Sequence, residues 1–94
     1  MAADAMTAKV TVRVRYFASL REALGPEESI EVDVGSTVGE LHARLRARSA
    51  RHAQCLTSGR SLRIALDQVL LQTPEDARIS SHAEVAFFPP VTGG

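Results

Sequence analysis

The sequence predicts an α+β domain in which one main helix covers one face of a single mixed sheet of about five strands. Three observations carry that expectation. Lys9 to Phe17 alternates strictly between two sets of side chains, Ser29 to Val34 does the same, and Val38, Leu41 and Leu45 then fall at helical spacing. At 94 residues the chain forms one domain, able to bury roughly 60 to 68% of its unfolded surface and too short for two. A multi-domain enzyme is excluded.

The elements follow in order. In KVTVRVRYF, Val10, Val12, Val14 and Tyr16 share one face, while Thr11, Arg13, Arg15 and Phe17 share the other. Ser19 to Glu22 fits a capping box, and Gly25-Pro26 closes a helical turn or two. SIEVDV turns Ile30, Val32 and Val34 inward and pairs antiparallel with the first strand, which sets Arg13 and Arg15 beside Glu31 and Asp33 on the open face. Such exposed pairs serve register more than stability, at about 1 kcal/mol or less each. A second capping box, Thr37 to Glu40, opens the main helix. Its polar face carries Arg44, Arg48 and Arg51, placing positive charge where the helix dipole favours it. Ser49 to Gly59 reads as an irregular link ending in a Ser58-Gly59 turn. Leu62, Ile64 and Leu66 alternate into a third strand, Asp67-Gln68 makes a tight turn, and Val69 to Leu71 returns. Pro74 to Ile79 is a loop or short helix, and Glu84 to Phe88 a last strand, stopped by Pro89-Pro90 because neither residue donates a hydrogen bond.

Charge narrows the function. The chain has 11 Lys+Arg against 11 Asp+Glu, a formal net charge of zero, which argues against a general polyanion binder. The balance hides an order: residues 1–40 and 64–94 are acidic, while residues 41–63 hold six arginines and no acid. No apolar run approaches the roughly 20 residues that span a bilayer. The opening MAADAMTA lacks the basic and apolar regions of a signal peptide, so residues 1–8 are expected to be a flexible N-terminus of a cytoplasmic protein. The single cysteine, Cys55, cannot form an internal disulfide and has no partners at zinc-ligand spacing, so no metal site is expected.

A self-contained active site is missing from the pattern. His42, His52 and His82 show no paired spacing, and there is neither a glycine-rich phosphate loop nor a GxSxG elbow. The histidines read as surface or packing residues, and Cys55 as a structural thiol. The unusual feature is the end, FFPPVTGG. Two prolines hold the chain extended, and the six residues from Pro89 onward could reach about 20 Å at ~3.3 Å per residue. Glycines at the last two positions can thread a narrow channel and leave the terminal carbonyl open to attack. Terminal fraying would need neither an aromatic anchor nor a stiff spacer. The expected organisation is therefore an N-terminus of residues 1–8, a domain of residues 9–88 and an extended tail of residues 89–94.

From Val10 to Gly94 the chain resembles the small subunits of molybdopterin synthase, ubiquitin-like sulfur carriers of molybdenum cofactor biosynthesis. The resemblance rests on VRVRYFASLREALG, STVGELHARL, IALDQVLL and, most specifically, EVAFFPPVTGG. It implies a ubiquitin-like β-grasp fold and a carrier, the non-catalytic sulfur-donor subunit of a sulfurtransferase complex. In such proteins an adenylating enzyme similar to the ubiquitin-activating enzyme uses ATP on the terminal carboxylate, here Gly94, and a sulfur donor protein converts it to a thiocarboxylate. The loaded tail then gives its sulfur to a cyclic pyranopterin precursor inside the large synthase subunit, with two small and two large subunits in the complex. No cofactor is bound by the carrier itself. Position by position, Gly94 is acceptor and donor, Gly93 the slim penultimate residue, Thr92, Val91, Pro90 and Pro89 the inserted tail, and Phe88 the apolar anchor against the large subunit. Lys9 is assigned no role. The family commonly has Asn-Gln where Asp67-Gln68 stands, and an acidic-Gly-acidic turn where Ser81-His82-Ala83-Glu84 stands. Both departures concern local turns.

Two other readings are weighed against this one. The same chemistry would suit a sulfur carrier for thiamine or tRNA thiolation. A protein-interaction module using the Arg44 to Arg63 stretch on an acidic surface or RNA is disfavoured, because that stretch has no aromatic side chain to stack on bases. Neither nucleic acid nor membrane is expected as a partner.

Overall fold

The computed structural model describes residues 8–57 and 62–89. Strand β1, Lys9–Tyr16, is built on Val10, Val12 and Val14, whose branched side chains suit a pleated, half-buried surface. Helix α1, Ala18–Leu24, leads to β2, Glu27–Asp33; α2, Val38–Arg46, is followed by α3, Ala50–Cys55. Then come β3, Arg63–Leu66, β4, Val69–Leu70, a 3-10 turn at Pro74–Asp76, and β5, Ala83–Phe88. The sheet runs in the order β2-β1-β5-β3-β4. β1 and β5 are parallel at its centre, and the other neighbours are antiparallel. The expected α+β layer pair, with five strands in a mixed sheet, is what forms.

One face of the sheet is closed by the helices. Val12, Val14, Tyr16, Val32, Val85 and Phe87 from the strands meet Val38, Leu41 and Leu45 of α2, Leu56 after α3, and Ile79. All eleven are at most 1% exposed. The capping box of α2 is present in full: Thr37 Oγ1 accepts from Glu40 N at 3.0 Å, and Glu40 Oε1 accepts from Thr37 N at 2.9 Å. Gly39 is required there, since a Cβ would lie 2.8 Å from Glu75 Cα.

Several expectations are corrected. Ser19 does not cap α1; the N-cap is Phe17, without a side-chain bond, because the helix begins two residues earlier than that cap requires, at Ala18, with φ 53°. The stretch read as irregular after Ser49 contains α3, capped by Ser49 Oγ accepting from His52 N at 3.1 Å. The main helix stops at Arg46, so Arg48 and Arg51 lie beyond its polar face. Val34 falls outside β2 and is exposed, since the chain turns at Gly35. The register sets Arg13 opposite Ser29 and Arg15 opposite Glu27; Asp33 instead pairs with Lys9 at 2.7 Å, a role the sequence reading did not give that lysine. The Ser58-Gly59 turn lies outside the described residues.

Asp67 and Gln68 adopt φ 49° and 73°, a pair of left-handed residues that joins β3 to β4 with the twist a two-residue hairpin needs. His82 is not among the non-glycine residues of positive φ in the described chain. Its ring solves a different problem: Nδ1 accepts from Thr11 N at 2.8 Å, satisfying a donor of β1 just before the β5 ladder begins at Ala83.

Candidate functional site

The uncovered face of the sheet ends where β5 delivers the chain to its tail. Because β1 and β5 run parallel in register, Arg15 stands beside Ala86, and Tyr16 beside Phe87. The ladder's end is marked by Phe17 N donating to Phe87 O at 3.2 Å. One residue later the outward side chains meet: the Phe17 and Phe88 rings stack with centroids 4.6 Å apart and planes 8° from parallel. The Arg15 guanidinium lies 5.2 Å from the Phe17 centroid and bonds to Glu84 Oε2 at 3.2 Å.

Beside the stacked rings a cleft of about 310 Å³ is floored by Ala65 and Ala86 and walled by Phe17, Phe88 and Leu70, with Gln68 at its rim. Small residues paired on the neighbouring strands β3 and β5 make the hollow, and the β3–β4 hairpin raises its far wall. Val69 and Leu70 are 63% and 53% exposed. An apolar hollow flanked by exposed Leu70 and two half-buried aromatics is the composition of a protein-docking surface.

Of the residues expected at the site, the described structure contains Phe88 and Pro89. Phe88 lies on the outer face of β5, opposite Val85 and Phe87 as expected, and Pro89 follows directly. Pro90, Val91, Thr92, Gly93 and Gly94 lie outside the described residues. Phe17, Leu70 and Arg15 join the surface without having been singled out. For Phe17 a signal existed: it continues the outward set of the Lys9 to Phe17 alternation, where an aromatic side chain has no core to fill.

Away from this face, the titratable groups are tied to structure. Glu28 Oε2 accepts from the Tyr16 hydroxyl at 2.6 Å and from His52 Nε2 at 2.8 Å, and Arg48 Nε lies 3.4 Å from its Oε1. Burial alone would raise the Glu28 carboxyl, but the bonds from Tyr16 and His52 and the charges of His52 and Arg48 outweigh it and hold it below the ordinary carboxylate value. The Tyr16 phenol is pushed far up by burial and by the Glu28 carboxylate it donates to. Ser49 Oγ lies 2.8 Å from His52 Nδ1, yet this Ser–His–Glu line is structural, since the same hydroxyl caps α3. His42 donates Nε2–H to Leu56 O at 2.6 Å; burial, helped by the Arg46 charge and opposed by that bond, keeps its ring below the usual histidine value.

Arg44 donates to Glu31 O at 2.9 Å and Arg51 to Ala23 O at 3.4 Å, so with Arg48 three arginines of the basic stretch bind the chain's own backbone and Glu28. Cys55 is half-buried against the core. Among the described residues no group of three His, Cys, Asp or Glu is placed to hold a metal, and no helix is long and apolar enough to cross a membrane.

Comparison with known proteins gives a consistent set. The model described as the ThiS family matches residues 14–94. The molybdopterin synthase sulfur carrier subunit of Escherichia coli is 37% identical over 88% of this chain and 99% of its own length. The protein of the same name from Mycobacterium tuberculosis is 33% identical over 90% and 99%. Among solved structures, a putative molybdopterin converting factor subunit 1 of Pyrococcus furiosus superposes with TM-score 0.69 at 27% identity, covering 87% of this chain and 99% of that one. The Haloferax volcanii HVO 2177 protein reaches TM-score 0.77 over 92% and 88% at 24% identity, a likeness of fold.

Proposed function

The chain belongs to the ThiS family, and on that premise we propose that it is a sulfur carrier of molybdopterin biosynthesis whose working group is the carboxylate of Gly94. The observation that carries the reading is the family match running through FFPPVTGG, with an open apolar surface at the root of that tail. A carboxylate is a poor electrophile because it has no good leaving group. Attack by a Gly94 oxygen on the α-phosphate of ATP, inside an adenylating enzyme, expels pyrophosphate and leaves an acyl adenylate. The outer sulfur of a donor-protein persulfide then attacks the acyl carbon and displaces AMP, and a thiol reductant cleaves the resulting acyl disulfide, which frees the terminus as a thiocarboxylate and leaves the donor sulfur in a new disulfide. In the large synthase subunit the thiocarboxylate sulfur attacks a carbon of the pyranopterin precursor and displaces an oxygen substituent; water then cleaves the resulting thioester, leaving the sulfur on the precursor and the carboxylate on Gly94.

In this proposal Gly93, Thr92, Val91, Pro90 and Pro89 form the arm that enters the partner, and Phe88, with Phe17 and Leu70, seats the domain against it. The complex holds two small and two large subunits, and the work is done in the cytoplasm, where ATP is at hand. The same arm would serve thiamine or tRNA thiolation; the relatives named for molybdopterin synthase favour the pterin product.

Incubation with the cognate adenylating enzyme, ATP and a sulfur donor should raise the intact mass by the difference between sulfur and oxygen. Deletion of Gly93 and Gly94 should abolish that gain and all pterin sulfuration while leaving the melting temperature unchanged. A mass that stays constant in the full chain, or sulfuration that survives the deletion, overturns the reading.

A further inference from the structure

The outward side chains form two adjacent rows, Arg13 and Arg15 of β1 with Phe17 just past its end, and Glu84, Ala86 and Phe88 of β5. Arg15 stands beside Ala86, whose methyl group leaves the long side chain free to lean either way along β5. Glu84 decides the direction: the guanidinium Nη1 is 3.2 Å from its carboxylate. In that pose the guanidinium carbon sits 5.2 Å from the centroid of the Phe17 ring, which stacks on Phe88. These contacts link Glu84, Arg15, Phe17 and Phe88 in one line that ends at the last residue before the tail.

The backbone pairing ends there. Phe88, opposite Arg63 of β3, is the last residue of the β5 ladder, and Pro89 cannot donate to extend it. Phe17 follows the end of β1 at Tyr16, and Ala18 turns away at φ 53°. Beyond the pairing with Arg63, the Phe88 side chain is held by its stack on Phe17, and the Phe17 ring in turn by Arg15. The pair is half-buried, with side-chain exposures of 44% and 25%, so it is screened less than a free surface bridge.

We propose that Arg15 and Glu84 are positioning residues of the carrier tail: their ion pair sets Arg15 on Phe17, Phe17 holds Phe88 flat, and Phe88 sets the direction in which the chain leaves the sheet at Pro89. The inference rests on the carrier reading for its consequence, since a tail that leaves in one direction loses less freedom when it enters a partner's channel. Arg15 and Glu84 touch neither the sulfur nor the precursor. Their effect is on how readily the loaded tail is captured, not on the transfer itself.

The test uses the full thiocarboxylated chain with its large subunit, at varied carrier concentration, and the free unmodified chain in solution. Arg15→Leu and Glu84→Gln should each raise the apparent KM for the carrier about three- to fivefold and leave kcat nearly unchanged, the size expected for losing one half-exposed cation–aromatic contact. Arg15→Lys, which keeps a cation for Glu84 and for the Phe17 face but loses the planar guanidinium, should recover part of the loss. In the free chain, the NMR signals of the Phe88 ring and the Pro89 δ-protons should move in the first two variants and move less in the third. Unchanged KM and unchanged Phe88 and Pro89 signals overturn the proposal, as does a fall in kcat with KM constant. If Arg15→Leu fails to fold, Glu84→Gln, nearly isosteric with the parent, decides alone. The spectra of the free chain are independent of sulfur chemistry, so a parent chain that never accepts sulfur defeats the carrier reading while the spectra still judge the clamp.

Discussion

Phe87 and Phe88 are consecutive residues of one strand with opposite surroundings. Phe87 is fully buried, 6.1 Å from the Tyr16 ring and 5.5 Å from the His42 ring; Phe88 looks out from the sheet and shares its ring with Phe17. The pleat of β5 separates two jobs that the sequence writes side by side: one face holds the domain together and the other meets a partner. The largest predicted effect exploits that pair. Phe87→Ala should cost about 3 to 5 kcal/mol, much of what a domain of this size has, whereas Phe88→Ala should cost about 1 kcal/mol of stability and weaken capture by the large subunit instead. Denaturant melts together with the apparent KM for the carrier would separate the two outcomes. Equal losses of stability in both variants would break the division of faces.

The helix-covered face also contains the polar group whose loss should matter next. Glu28 joins β2 to Tyr16 of β1, to His52 of α3 and to Arg48 before it. Replacing it by Gln leaves an acceptor for the Tyr16 hydroxyl but removes the charge, at a predicted cost of about 1 to 2 kcal/mol near pH 7. The pH dependence follows from its lowered carboxyl: its contribution is complete above about pH 4.3, the ordinary Glu value, and is lost as pH falls through the lower folded value. Glu28→Gln should therefore flatten the stability curve in that acid window. His42 acts in a separate window. Its folded ring resists protonation, so the unfolded chain takes up the proton first and stability begins to fall below about pH 6.5, with or without Glu28. Urea midpoints measured from pH 7 to pH 3 on both chains would show whether the two windows separate.

The difference between the faces also explains how much was legible. Strict alternation in KVTVRVRYF identified Val10, Val12, Val14 and Tyr16 as core, and the Thr37–Glu40 box fixed the start of α2, because both depend on residues close in sequence. Phe88 could be placed on the outer face by the same two-residue period. What escaped depends on strands distant in the chain. Arg15 reaches Glu84 across 69 positions, and Phe17 finds Phe88 only once β1 and β5 lie parallel, so a reading that paired β1 with β2 alone sent Arg15 toward Glu31 and Asp33. α3 was missed for another reason. None of its six residues is fully buried, and its hold comes from the Ser49 cap and the His52–Glu28 bond instead of an apolar stripe.

The smallest predicted effect lies in the β3–β4 hairpin at the edge of the sheet. Asp67 and Gln68 both sit at positive φ, which costs a residue with a Cβ about 1 kcal/mol. Asp67 recovers part of that through Oδ1, which accepts from Glu84 N at 3.0 Å and so ties the turn to the strand carrying the tail. Among the described residues the Gln68 side chain makes no comparable bond. Gln68→Gly should stabilise the domain by about 0.5 kcal/mol once the extra freedom of glycine in the unfolded chain is set against the relieved strain, a rise in melting temperature of a few degrees. Asp67→Gly relieves the same strain but loses the bond to β5, and should be neutral or destabilising. A thermal melt of each variant reads the sign. A gain in both would mean that the Asp67–Glu84 tie contributes nothing, and that the hairpin bounding the docking cleft is held by its strand pairing alone.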